Sequence, residues 1–222
     1  IDFAVAIYGS HAVWDGASIA DNLPIGQWQF ACIKKEPPKD IIEFLTLGWS
    51  LAQYRFHNYR AKSSSPINCL AIPKDVNDTR LLGQVRGIYL CRDLINQPPN
   101  HMTPTTLEAT MASLAKAYRA KLKTYDGKAL ETDFPAINIV GRAAETAPRL
   151  MDLRWGKTGP KITLIGKGIT FDSGGLDLKP SKSMEMMKKD MGGAAIVLGL
   201  AIALMASKLN VQLRVLVAAA EN

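Results

Sequence analysis

The chain is poor in cysteine: of its 222 residues only Cys32, Cys69 and Cys91 are of this type, and no C-x-x-C pair occurs. That scatter excludes a disulfide framework and a zinc knuckle, and it fits a reducing, cytoplasmic compartment. Histidine is scarce too, and His57, with no other histidine near it in sequence, reads as a surface or capping residue rather than a ligand. No basic segment followed by an apolar run opens the chain, so no signal peptide is expected. No uncharged run reaches the ~18–20 residues of a membrane span. The longest, residues 191–207, carries Gly192, Gly193 and Gly199 and reads as a buried core helix. Internal repeats and low-complexity tracts are absent, as is G-x-x-x-x-G-K-[ST], and Gly166-Lys167-Gly168 lacks the rest of a dinucleotide fingerprint.

What is present is ordinary globular material, 47% hydrophobic and 21% charged. The net charge of +7 leaves room for an acidic partner, a nucleic acid or an acidic segment that would rebalance the total. Two modules are expected. Residues 1–78 form a small α/β module and linker, with apolar runs at 3–8 and 28–33 as strands, Asp15-Gly16 as a turn, and a helix over 40–59 in which Gly48 and Trp49 mark close packing. The division falls in the Ser/Pro-rich stretch before residue 79. Residues 79–222 then give a helix over 79–95 stopped by Pro98-Pro99, and a helix to about 121 capped by Thr103 before Pro104 or by Thr105. Strands follow at 123–125, 136–140, 149–155, 161–165 and 211–218, with a helix over 190–209 between the last two. The final strand, helix and strand make a parallel βαβ unit, part of a three-layer αβα domain with a mixed, largely parallel sheet.

Ligands gather at the carboxyl ends of parallel strands, so Lys167, Asp172, Lys179 and Asp190 can converge after the strand that ends at residue 165. Asp172 and Asp190 are hard oxygen donors for a metal, Asp190 at a helix N-terminus where a carboxylate is favoured. Salt bridging between these lysines and carboxylates explains the same residues equally well.

The run IGKGITFDSGGLDLKPSKSMEMMKKDMGGAA, residues 165–195, resembles without a gap the signature region of the leucyl aminopeptidases, the two-metal exopeptidases of peptidase family M17. Weaker agreement extends through RDLINQPPNHMTPTTLE at 92–108, PRLMDLRWG at 148–156 and GWSLAQYRF at 48–56. The resemblance implies that Lys167, Asp172 and Asp190 are metal ligands, with Asp172 between two ions and Lys167 ligating as the neutral amine. It implies that Lys179 is the catalytic cation that stabilises the oxyanion, and that Met187 lines the pocket for the substrate's first side chain. The expected activity is hydrolysis of N-terminal apolar residues, leucine among them, from peptides with a free N-terminus, by a two-metal hydroxide mechanism. Two divalent ions (zinc or manganese, with cobalt or magnesium open), a homo-hexamer and no membrane association go with it.

One departure accompanies the resemblance. The family completes its site with a further motif, NTDAEGR, whose Asp and Glu are ligands and whose Arg holds a bicarbonate. This chain reads Glu221-Asn222 before that point, so the expectation is part of a longer polypeptide with an incomplete site. Two other functions remain open: a non-catalytic binding or assembly module that keeps the fold, and nucleic-acid binding through Lys179, Lys182, Lys188 and Lys189. The second is disfavoured because no aromatic side chains interleave with these lysines as stacking platforms.

Overall fold

In the computed structural model, which describes residues 9, 11–32, 37–59 and 67–222, the Asp15-Gly16 pair lies not in a turn but inside a helix, α1 (Ala12–Asn22). The glycine is required by close approach. A Cβ on Gly16 would come within 2.1 Å of the Leu45 carbonyl oxygen, and one on Gly48 within 1.8 Å of that of Val13. The two glycines let the backbones of α1 and the next helix, α2 (Lys39–Ala52), touch, as Gly48 and Trp49 suggest from sequence.

Helix α2 stops well short of residue 59. Its last bonds tighten, Gln53 N to Ser50 O at 3.2 Å and Tyr54 N to Leu51 O at 3.4 Å, and the Arg55 guanidinium donates to the carbonyls of Ala52 and Tyr54. The expected strand at 28–33 shrinks to β1 (Gln27–Trp28), which pairs in parallel with β2 (Cys69–Leu70). The run at 3–8 and the serines before Pro66 lie outside the described residues. Buried Asn68 ties the unit together: its amide donates to the carbonyls of Ala20 (2.9 Å) and Leu23 (3.0 Å) and accepts from Gly26 N (2.8 Å). A buried amide is affordable only when its donors and acceptors are met in this way. His57 is exposed.

The chain divides by contact into Ile1–Val85 and Arg86–Asn222, a boundary inside helix α3 (Asp78–Asn96) and C-terminal to the 78/79 division drawn from composition. In the second unit, α4 (Pro104–Tyr118) starts as expected. Thr103 accepts from Thr106 N at 3.2 Å, Pro104 occupies the first turn, and the helix ends with Arg119 left-handed at φ 54°. After β3 (Lys121–Tyr125) and α5 (Gly127–Asp133), the expected strand at 136–140 is instead helix α6 (Pro135–Gly141). Proline at its first position costs no backbone bond there and presets φ, which overrides the β-branched run behind it.

A four-stranded mixed sheet forms the centre, ordered β3, β4 (Arg149–Trp155), β6 (Gln212–Glu221), β5 (Lys161–Phe171). Only β5 and β6 pair in parallel; β4 runs antiparallel to both β3 and β6. Between β5 and β6 lie α7 (Ser181–Met184), a 3₁₀ turn (Met187–Met191) and α8 (Gly192–Ala206). Ser181–Ala206 is long and apolar enough to cross a membrane by length and composition alone. Here Ala194, Ala195, Leu198, Ala201 and Met205 are buried, in one core with Leu107 and Met111 of α4 and with Met151, Leu153, Leu213, Val215 and Val217 of the sheet. Each large side chain so buried contributes about 1.5–3 kcal/mol. Helix α6 covers the other face, Gly141 packing on Pro148 and Ala220. The domain is thus three-layered, as the sequence leads one to expect.

On that second face Asp152 is 2% exposed between Arg154 and Arg214. Arg154 donates to it through Nε and Nη2 (2.8 Å for the latter), and Arg214 through Nε (3.1 Å) and Nη2 (2.9 Å). Burial pushes its carboxyl up, but the hydrogen bonds and charges of the two guanidiniums outweigh this and hold it below the usual carboxylate range.

Candidate functional site

Strand β5 continues six residues beyond its expected end at 165, so Lys167 lies within the paired ladder opposite Ala218 and not in a loop. The glycines that suggest a loop serve packing: a Cβ on Gly166 would come within 2.7 Å of Ala194 Cα, where α8 presses on the strand. The loop begins after Phe171 and carries Asp172.

Asp172 is held from several directions. Its Oδ1 accepts from Gly174 N (2.9 Å) and from the Asn222 side-chain amide (2.9 Å), while Oδ2 pairs with the Lys179 ammonium. Lys179 is returned to it because the loop closes on itself, Lys179 N donating to Ser173 O at 2.9 Å with Gly174 at φ 96°. The hydrogen bond from Lys179 holds the Asp172 carboxyl below the usual range; burial opposes it, and Gly174 N–H and Asn222 add to it. Asn222 is itself fixed, its N donating to Phe171 O (2.9 Å) and its O accepting from Ser173 N (2.8 Å). Sequence reasoning missed Asn222; its only signal is its place just past the end of β6, beside the end of β5.

Asp190 lies in the 3₁₀ turn directly before α8, not in the first turn of that helix as expected. It accepts from Lys167 Nζ at 2.7 Å. Met187, in the same turn, places its sulfur 3.8 Å from Lys179 Nζ. Four of the five expected residues thus form two ion pairs, Lys167 with Asp190 and Lys179 with Asp172, and the fifth, Met187, shares one short turn with Asp190 and touches Lys179. Asp190 and Asp172 are partly exposed, at 18% and 21%, so a ligand can reach them. Among the described residues no group of three His, Cys, Asp or Glu side chains could hold a metal. A third donor here is the Lys167 amine.

A cavity of about 700 Å³ opens beside α7, lined by Phe171, Lys182, Met184, Glu185 and Lys188 among others. None of Lys167, Asp172, Lys179, Met187 and Asp190 lines it. The five residues therefore lie outside this cavity, although Phe171 and Lys188, which line it, adjoin Asp172 and Met187 in sequence. Lys188 is tied down by donating to Asn96 O at 3.3 Å.

The chain is similar to known proteins over most of its length. The family model described as "Cytosol aminopeptidase family, catalytic domain" matches residues 89–222. A probable cytosol aminopeptidase of Aquifex aeolicus is 36% identical over 193 residues, covering 83% of this chain and 39% of the relative. The solved cytosol aminopeptidase of Coxiella burnetii superposes with a TM-score of 0.88 at 43% identity, over 96% of this chain and 46% of its own. The bottromycin maturation enzyme BotP in complex with Mn gives a TM-score of 0.83 at 30% identity, over 95% of this chain and 47% of its own. The chain spans less than half the length of these proteins.

Proposed function

The chain belongs to the cytosol aminopeptidase family, peptidase M17, and from that premise we propose that it supplies one part of the centre of a metal-dependent aminopeptidase. The observation that carries this reading is the double ion pair: two partly exposed carboxylates, each held by one lysine, on elements that meet at the carboxyl end of β5.

The donor set fits a divalent cation. Asp172 and Asp190 offer hard oxygens, and Lys167, if it gives up its proton, offers an amine. Bound there, divalent ions would supply Lewis-acid activation of water and of the scissile carbonyl. Asp172 is the best oriented of the three, because Gly174 N–H and the Asn222 amide fix one oxygen and leave the other to the Lys179 ammonium. Lys179 is the group that stays cationic, placed to take up the negative charge that develops on the carbonyl oxygen. Met187 lies against that ammonium, and its flexible thioether suits assorted apolar side chains at the cleaved residue. The Mn complex of BotP supports manganese among the metals this reading allows, with zinc, cobalt and magnesium as the others. A cytoplasmic location, a hexameric assembly and a bicarbonate at the complete site are further parts of the same proposal, drawn from the family.

The test is hydrolysis of leucine p-nitroanilide, with added Mn²⁺, by the polypeptide that carries this chain. Replacing Lys179 with Met is expected to lower kcat by about 10²–10³ with a smaller change in KM, the signature of a lost oxyanion donor. Undiminished turnover in that variant would overturn the assignment.

A further inference from the structure

The first unit carries a concavity with no part in the reading above. It lies between α2 and the start of α3, holds about 360 Å³, and is lined by Phe44, Leu47 and Val76 with Asp40, Glu43 and Arg80 at the same opening. That volume is at the lower end of small-molecule sites, ~300–1,000 Å³. Phe44 is 46% exposed there, although the neighbouring Val76 is buried.

Its polar groups are of both signs. Glu43 and Arg80 pair across the two helices, and Arg80 keeps 49% of its side chain exposed. Asp40, one turn before Glu43, has no hydrogen-bond or charge partner among the described residues. A shallower hollow continues past Lys39 over Asp40, Glu43 and Arg80.

Each feature selects one part of a ligand. A guanidinium with free edges takes a carboxylate in a forked pair of bonds. A carboxylate without a partner takes an ammonium. The exposed ring of Phe44 with Leu47 and Val76 takes an aliphatic chain. Asp40 and Glu43 with Arg80 and the nearby Lys39 give the opening both signs in balance, so a simple fatty or keto acid is less well matched than a zwitterion. We infer that this concavity binds a free α-amino acid with an aliphatic side chain, its carboxylate on Arg80, its ammonium on Asp40 and its side chain over Phe44. The inference stands on the first unit alone and does not depend on the aminopeptidase reading.

The experiment is calorimetric titration of the polypeptide that carries this chain with L-leucine, N-acetyl-L-leucine and isopentylamine. It is done in a Lys179→Ala background so that a product site at the other centre is crippled. Saturable binding of L-leucine is expected, weakened at least about tenfold, ~1.4 kcal/mol, by removing either charged group from the ligand. Asp40→Asn, at an exposed position, is expected to remove the preference for leucine over N-acetyl-leucine, and Arg80→Ala the preference over isopentylamine. No saturable binding in the millimolar range overturns the proposal. So does equal binding of all three ligands, or leucine binding that neither substitution changes.

Discussion

Asp152 and Asp172 are both aspartates held by cations in the second unit, and they are held in different ways. Asp152 is sealed between two guanidiniums on a sheet face, with both oxygens taken, at 2% exposure. Asp172 sits past the end of a strand at 21% exposure, oriented by a backbone N–H and an amide, with a single flexible ammonium on its outer oxygen. The first arrangement spends the carboxylate's bonding capacity on holding strands together. The second holds the carboxylate's direction while leaving one partner that can move aside. Fixed orientation with an exchangeable partner is what a ligand site needs, and full satisfaction is what a structural tie needs.

Substitution can break the contrast. Asp152→Ala removes a buried acceptor from two arginines that can partly rehydrate, and is expected to lower unfolding stability by about 2–3 kcal/mol, read as a reduced urea midpoint. Asp172→Asn keeps the shape and removes the charge; Mn²⁺ affinity by calorimetry is expected to fall about 10–100-fold while the urea midpoint moves by no more than about 0.5 kcal/mol. If Asp172→Asn instead costs as much stability as Asp152→Ala, both aspartates are structural and the contrast fails.

Acid titration sharpens it further and is the smallest effect. Both carboxyls lie below their usual range in the folded protein. Each therefore contributes stability above the unfolded value of ~3.9, and that contribution is lost as pH falls through the lower folded value, because the unfolded chain binds the proton first. Below about pH 4 the fall in stability should be shallower in Asp152→Asn than in the parent chain, and only slightly shallower in Asp172→Asn, where a partly exposed pair contributes less.

The site was more legible in sequence than the elements that bear it. Residue types and spacings pointed to Lys167, Asp172, Lys179 and Asp190, with Met187 added by the family resemblance alone, and the structure joins the first four into two ion pairs with Met187 beside Lys179. What the local pattern could not show is that Gly166 and Gly168 belong to a strand, since that depends on how closely α8 and β6 approach. Gly16 is the same case, a turn signal in sequence and a helix contact in space. Residues 136–140 failed for another reason, a β-branched run overruled by the proline before it. Asp152 lies in a stretch legible as a strand, but its partner Arg214 is 62 residues away and no local pattern names it.

The extension of β5 past residue 165 has a consequence in time. Lys167 is carried on a backbone paired residue by residue with β6, so its Cα shifts only when that ladder loosens. Lys179 is carried on a loop closed by a few bonds, and such loops rearrange on the order of nanoseconds to microseconds. The two backbones keep different clocks: an arriving ligand meets one lysine rooted in a paired strand and one rooted in a loop that can re-aim it during a single encounter.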